Sequence, residues 1–197
     1  MPRRVFSFDR PDHFTCGAVG QPGQRTFFIQ AAKGDRVVSV ALEKAQVAVL
    51  AERVATLLLA LRQGGLPISD EPLGPVADLS EPIVEQFRVG TLTLGWDSDR
   101  QRVVIEAREL GADDDEFDEG EAEADEEAAG VSGQTQIASD VGDGGDVVLV
   151  QLEPRAALEF ANGAVAVVQA GRPPCPQCGA PLDPTGHFCP RLNGYAH

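Results

Sequence analysis

Val37-Val38-Ser39-Val40-Ala41-Leu42-Glu43 has the composition of a β-strand, and a different period begins directly after it. Val47, Leu50, Ala51, Val54, Leu57, Leu58 and Leu61 recur at three- and four-residue spacing. That is the stripe of a core-facing helix, and Gly64-Gly65 ends it. The same pair of elements returns downstream. Val147-Val148-Leu149-Val150-Gln151-Leu152-Glu153 differs from the first run only at Leu149 and Gln151. Pro154, at a favoured first helical position, then opens a second helix with Leu158, Ala161, Val165 and Val168 on its stripe and Gly171 at its end. A strand passing through glutamate into a helix, twice, decides the fold.

Working outward, Val5, Phe6 and Phe8 form a short strand that Pro11 stops, and Phe14 to Gly20 and Arg25 to Ala31 form two more. Gln21-Pro22-Gly23-Gln24 joins that pair with a type II turn signature, and Lys33-Gly34-Asp35 leads tightly into Arg36 to Leu42. Pro67, Pro72, Pro75 and Pro82 mark an extended surface linker. Glu85 to Trp96 and Arg100 to Leu110 read as a hairpin turning at Asp97-Ser98-Asp99. Phe14-Thr15-Cys16-Gly17 parallels Phe87-Arg88-Val89-Gly90, so the halves, about 1–65 and 85–171, each read strand, strand, strand, helix. The expectation is an α+β body over residues 1–171, built by a tandem βββα duplication. It has an antiparallel sheet of six to seven strands with two helices on one face. A pseudo-twofold axis would make Glu43 and Glu153 equivalent.

Charge is concentrated in one place. Between Asp113 and Glu127 lie eleven acidic residues and no basic one, and removing them takes the formal charge from −15 to −4. Residues 111–145 cannot bury enough apolar surface to offset their ordering entropy, and are expected to be a disordered insert. They are a solvated loop, or a segment for a basic partner surface. A mildly acidic body without a basic stripe argues against nucleic-acid binding, which relies on Lys and Arg at phosphates. No apolar run is long enough to span a membrane, and the opening residues lack a signal-like region, so the cytoplasm is the expected compartment.

Three of the four cysteines fall near the C-terminus beside histidine. In a reducing compartment this clustering points to a metal rather than to disulfides. Cys175-Pro176-Gln177-Cys178-Gly179 has the form of a zinc knuckle, and Pro184-Thr185-Gly186 reverses the chain before His187-Phe188-Cys189. Cys175, Cys178, His187 and Cys189 are therefore the expected ligands of one structural Zn2+ over residues 172–197, with His197 as the alternative fourth ligand. Four ligands, three of them thiolates, suit a closed site that holds a short segment together and not a catalytic one.

Other constellations have a plainer reading beside the chemical one. His13 and Cys16 have metal-pair spacing, but the remaining Cys and His residues are already committed, which favours a turn histidine and a small strand cysteine. Gly20 to Arg25 has the glycines and the charge to cradle an anion, but no helix follows it, as a phosphate loop would require. Glu43 and Glu153 are either a paired general acid and base or glutamates meeting helix dipoles.

Three stretches resemble the DUF3090 family, actinobacterial proteins of unknown function: Gly17-Ala18-Val19-Gly20-Gln21-Pro22-Gly23-Gln24-Arg25-Thr26-Phe27-Phe28, then Leu42-Glu43-Lys44, and the ending from Gly171 to Tyr195. The resemblance implies a cytoplasmic protein found with other uncharacterised proteins, some of them resembling kinases and phosphatases, and it supplies no activity. Three functions are weighed. The first, a non-enzymatic adaptor or regulator presenting the zinc module to a protein partner, is favoured because no complete catalytic constellation is present. An enzyme acting on a small metabolite, phosphorylated or not, is the second, and requires a concave polar pocket. Nucleic-acid binding through the zinc module is the third, and the charge disfavours it.

Overall fold

The computed structural model describes residues 3–21, 23–69, 73–74, 77–111, 145–170, 177–178 and 191. Among these, the chain runs β1 (Val5–Asp9), β2 (His13–Val19), β3 (Thr26–Lys33), β4 (Arg36–Leu42), α1 (Lys44–Gln63), β5 (Glu85–Asp97), β6 (Arg102–Glu109), β7 (Val147–Leu152) and α2 (Pro154–Gln169). The turn chemistry matches the residues that make it. Gln24 N–H donates to the Gln21 carbonyl at 2.9 Å, and Gly23 takes φ +99° at the third turn position, where a side chain would be strained. In the β5–β6 hairpin, the Asp97 carboxylate accepts the Arg100 N–H at 2.9 Å.

The seven strands form one sheet in the order β1-β7-β6-β5-β4-β3-β2. It is mixed, which corrects the antiparallel expectation: β4 pairs β5, and β1 pairs β7, in parallel. The physical cause of the first is α1 and the long linker, which return the chain to the end where β4 began. The second arises because β1 adds to the far side of β7, not to its sequence neighbour β2. A twofold axis normal to the sheet would make the adjoining strands β4 and β5 antiparallel, so their parallel pairing rules out that placement of the axis. Instead β2-β3-β4 and β5-β6-β7 repeat in the same order and sense, one step further along the sheet.

The connection between β1 and β2 shapes everything else. Seven strands at ~4.8 Å spacing would make a flat sheet about 29 Å wide. Yet the outermost strands, β1 and β2, are joined by Arg10, Pro11 and Asp12, which reach at most about 14 Å between Asp9 and His13. The sheet must therefore coil until its edges approach. A twist of ~20–25° per strand pair, added over six pairs, turns β1 back toward the start of β2. The seam is closed by side chains: Lys33 Nζ donates to the Asp9 carbonyl, and the Arg36 guanidinium lies 5.6 Å and 4.9 Å from the Phe6 and Phe8 ring centres.

Coiling gives the sheet a concave face, and one core cluster fills it. Phe8, Cys16, Ile29, Val40, Val103 and Val150 from the strands join Val54 and Leu58 of α1 and Phe160 of α2. The Phe14 ring of β2 meets Phe160 at 4.5 Å, so α2, which leaves β7 near one edge, packs against the other. On β5 the inward residues change parity, from Phe87 and Val89 to Leu92, Leu94 and Trp96, and a register irregularity between Val89 and Thr91 accounts for the change. A void of about 10 Å³ remains inside, lined by apolar side chains including Phe14, Ile29 and Ile105; it is no larger than one water and has no polar group for it.

The convex face of β2–β4 is covered by the end of the linker. Buried Gln30 grips it as a peptide unit would: Nε2 donates to the Ser80 carbonyl (3.0 Å) and to Ser39 Oγ (3.0 Å), and Oε1 accepts the Ser80 N–H (2.7 Å). Thr15 Oγ1 donates to the Ala77 carbonyl at 2.6 Å, and Leu79 sits over Gly17, where an added Cβ would lie 2.5 Å from its side chain. Replacing Gln30 by leucine leaves Ser80 and Ser39 without these partners, so Q30L should lower unfolding free energy by about 2–4 kcal/mol in urea melts. A loss below ~0.5 kcal/mol would show that the linker does not need this clasp.

Candidate functional site

The structure disperses most of the sequence candidates and gives each a local role. His13 is exposed at the start of β2 while Cys16, three residues on, points into the core, and burial pushes its thiol up to about 12. They cannot share an ion. Glu43 caps α1: its N–H donates to Gln46 Oε1 at 2.9 Å, and its carboxylate meets Arg88 Nη1 of β5 at 2.7 Å. Glu153 stands before α2, with Arg102 Nη2 at 3.5 Å and Arg10 Nη1 at 4.0 Å. The strands that carry them, β4 and β7, lie three positions apart, about 14 Å along the sheet at ordinary spacing. They are not an acid–base pair, although each occupies the same place in its own half.

Arg25 also proves to be something other than an anion ligand. Its Nη1 donates to the carbonyl of Ala170 at 2.7 Å, across 145 positions of sequence. Ala170 is the C-cap of α2, which has no basic residue in its own last turn. Terminal helix carbonyls lack intrahelical donors and carry the negative end of the dipole, so a guanidinium there satisfies both needs. The latch joins the β2–β3 hairpin to the residue from which the cysteine-rich segment departs.

Of the four expected zinc ligands, Cys178 is among the described residues and is half-buried, while Cys175, His187 and Cys189 lie outside them, as does the alternative His197. Arg191 Nη1 donates to the Gln177 carbonyl at 3.0 Å. In the sequence Gln177 adjoins Cys178, and Arg191 follows Cys189 by two residues.

A second charged site was missed by sequence reading. Arg4, just before β1, clasps Asp146, just before β7: its backbone N–H donates to Oδ1 at 2.9 Å and Nε to Oδ2 at 2.7 Å, with Nη2 on the same oxygen. The Asp146 N–H donates in turn to Glu109 Oε2 at 2.9 Å, at the end of β6. This knot closes the neck of the acidic insert, of which residues 112–144 lie outside the described ones, and it fixes the parallel β1–β7 edge. The only local cue was an aspartate at a strand start; its partner is 142 positions away.

The family model described as a protein of unknown function, DUF3090, matches residues 6–189. The chain belongs to the DUF3090 family. The match opens in β1 and closes on Cys189, so it takes in the Arg25 hairpin, Glu43 and all four expected zinc ligands, and leaves out His197. No curated protein and no solved structure matches the chain. No described helix is long and apolar enough to cross a membrane.

The Asp146 carboxyl is held below its ordinary range, first by the Arg4 side-chain hydrogen bond and further by the Arg4 N–H and charge, against the opposing effect of burial. Its contribution to stability is therefore complete above the unfolded value near ~3.9 and is lost as pH falls through the lower folded value. D146N should cost about 1–2 kcal/mol at pH 7, toward the lower end of what charged hydrogen bonds give because Arg4 faces solvent. The gap between wild type and variant should close as unfolding is measured below pH 4. A gap that does not vary with pH would deny the carboxylate this role.

Proposed function

We propose that this member of the DUF3090 family is a non-enzymatic adaptor or regulatory protein whose C-terminal segment folds around one structural zinc ion held by Cys175, Cys178, His187 and Cys189. Beside the donor spacing, the metal reading is supported by the Arg191–Gln177 hydrogen bond, between the residue before Cys178 and one two positions after Cys189 in the sequence. The donor set fits zinc. Three thiolates and an imidazole complete a tetrahedron, and the thiolates leave little Lewis acidity and no open position for water. The family match, ending at Cys189, favours His187 over His197 as the fourth ligand. The zinc replaces the hydrophobic core that so short a segment lacks, and would present its surface to a protein partner.

Two further readings complete this account. Descent from a tandem βββα duplication is supported by the repeated order and sense of the strands, and by Glu43 and Glu153 at matching strand–helix junctions. A cytoplasmic home is consistent with a site that needs reduced thiolates.

Elemental analysis of purified protein tests the zinc reading. Wild type should carry one zinc per chain, C178S and H187A should lose most of it, and H197A should keep it. Zinc retained by H187A but lost from H197A would transfer the fourth position to His197. A wild type without zinc would remove the metal site, and the adaptor reading with it.

A further inference from the structure

We infer that the outer edge of β5, from Thr91 to Asp97, is an interface at which two copies of this chain join their sheets, antiparallel, about a twofold axis at Gly95. The inference does not depend on the zinc reading.

The edge is left open by an offset between strands. β4 pairs β5 at Ser39–Glu85 and Ala41–Arg88, so the second half of β5 has β6 on one side and, among the described residues, no strand on the other. The ladder tells which groups face outward. The Glu109 N–H donates to the Asp146 carbonyl, so odd-numbered residues of β6 turn their backbone groups to β7 and even-numbered ones to β5. Through the β5–β6 register, Thr91, Thr93, Gly95 and Asp97 bond to β6, and the N–H and C=O of Leu92, Leu94 and Trp96 point away from it.

The edge of β1 is guarded, and this one is not. On β1, Lys33 holds the Asp9 carbonyl and Arg36 Nη1 lies 3.5 Å from that of Ser7. On β5, Gln46 Nε2 takes the Val89 and Gly90 carbonyls at 3.1 and 3.2 Å, and the cover stops there. From Thr91 to Trp96 there is no charge and no proline, and Leu92, Leu94 and Trp96 are half-buried. Gly95 is a second observation. Glycine inside a strand weakens it, and often marks a place where another backbone approaches closely. Gly95 does not take positive φ, and an added Cβ would meet nothing within 4 Å among the described residues. The fold itself therefore gives no reason for a glycine there.

The edge is complementary to itself. About a twofold axis at Gly95, Leu94 of each copy lies opposite Trp96 of the other, and each pair exchanges N–H···O bonds in both directions. The same pairs set an aliphatic side chain beside an aromatic one on the concave face. Gly95 meets its own copy at the closely spaced, non-hydrogen-bonded position. The one charge on the edge, Asp97, falls opposite Thr93 and is already met by Arg100 at 3.1 Å, so no like charges are opposed. Each chain carries a formal charge of −15, so association should strengthen with added salt.

Sedimentation velocity of the full chain over a dilution series tests this, with emission from Trp96, the chain's single tryptophan, as a local probe. Wild type should pass from monomer to dimer as concentration rises, and Trp96 emission should move to the blue with it. G95K and G95E should stay folded, since the new side chain has open space. Each should dimerise at least about fivefold more weakly, because like charges then stand opposite each other. Mixed in equal amounts, the two should pair more tightly than either does with itself. Wild type that stays monomeric up to about 1 mM would overturn the inference and leave the edge to a strand of another protein. A dimer that G95K and G95E leave unchanged, or a mixture no tighter than its parts, would overturn it by placing the contact elsewhere.

Discussion

Three residues between Asp9 and His13 constrain the whole sheet. Because Arg10, Pro11 and Asp12 must join the two outermost strands, a ribbon that could have lain flat is coiled until its edges approach. Coiling creates the concave face on which both helices share one core, and brings α2 across from β7 to meet β2 at the Phe14–Phe160 contact. It also brings the end of α2 within reach of the β2–β3 hairpin, which is why Arg25 can take the Ala170 carbonyl.

Three of the surfaces left by this coiling are held by polar devices. Gln30 clasps the linker, Lys33 and Arg36 close the seam, and Arg4 with Asp146 ties the insert neck. Hydrogen bonds of this kind stabilise less than buried apolar surface, but leaving their partners unmade inside the protein costs more than the bonds contribute. They specify which segment lies where, while the core supplies the bulk of the stability.

Local pattern was legible and long-range pairing was not. The strand Val37–Leu42 and the helix after it were readable because period and composition are properties of a few consecutive residues. The Gln21–Gln24 turn was readable because only glycine suits its third position. The parallel pairs were not, since Val5–Asp9 carries no mark that it will join β7, 142 positions downstream, and not its neighbour β2. Arg25 was weighed as an anion ligand and set below the hairpin-turn reading; the partner it takes is a backbone carbonyl, which has no residue identity to search for. Glu43 and Glu153 were seen at their helix starts, yet the distance between them depended on the strand order. The cysteine spacing led to the expectation of a metal from chemistry alone, and what the structure adds is the Arg25–Ala170 hydrogen bond before the segment and the Arg191–Gln177 contact within it.

Zinc-edge X-ray absorption on the full-length protein tests the central claim most directly. Three sulfurs at ~2.3 Å and one nitrogen at ~2.0–2.1 Å are the first shell this account requires. A shell dominated by oxygen and nitrogen, with an exchangeable water in it, would contradict a closed structural site and with it the reading of the protein as an adaptor.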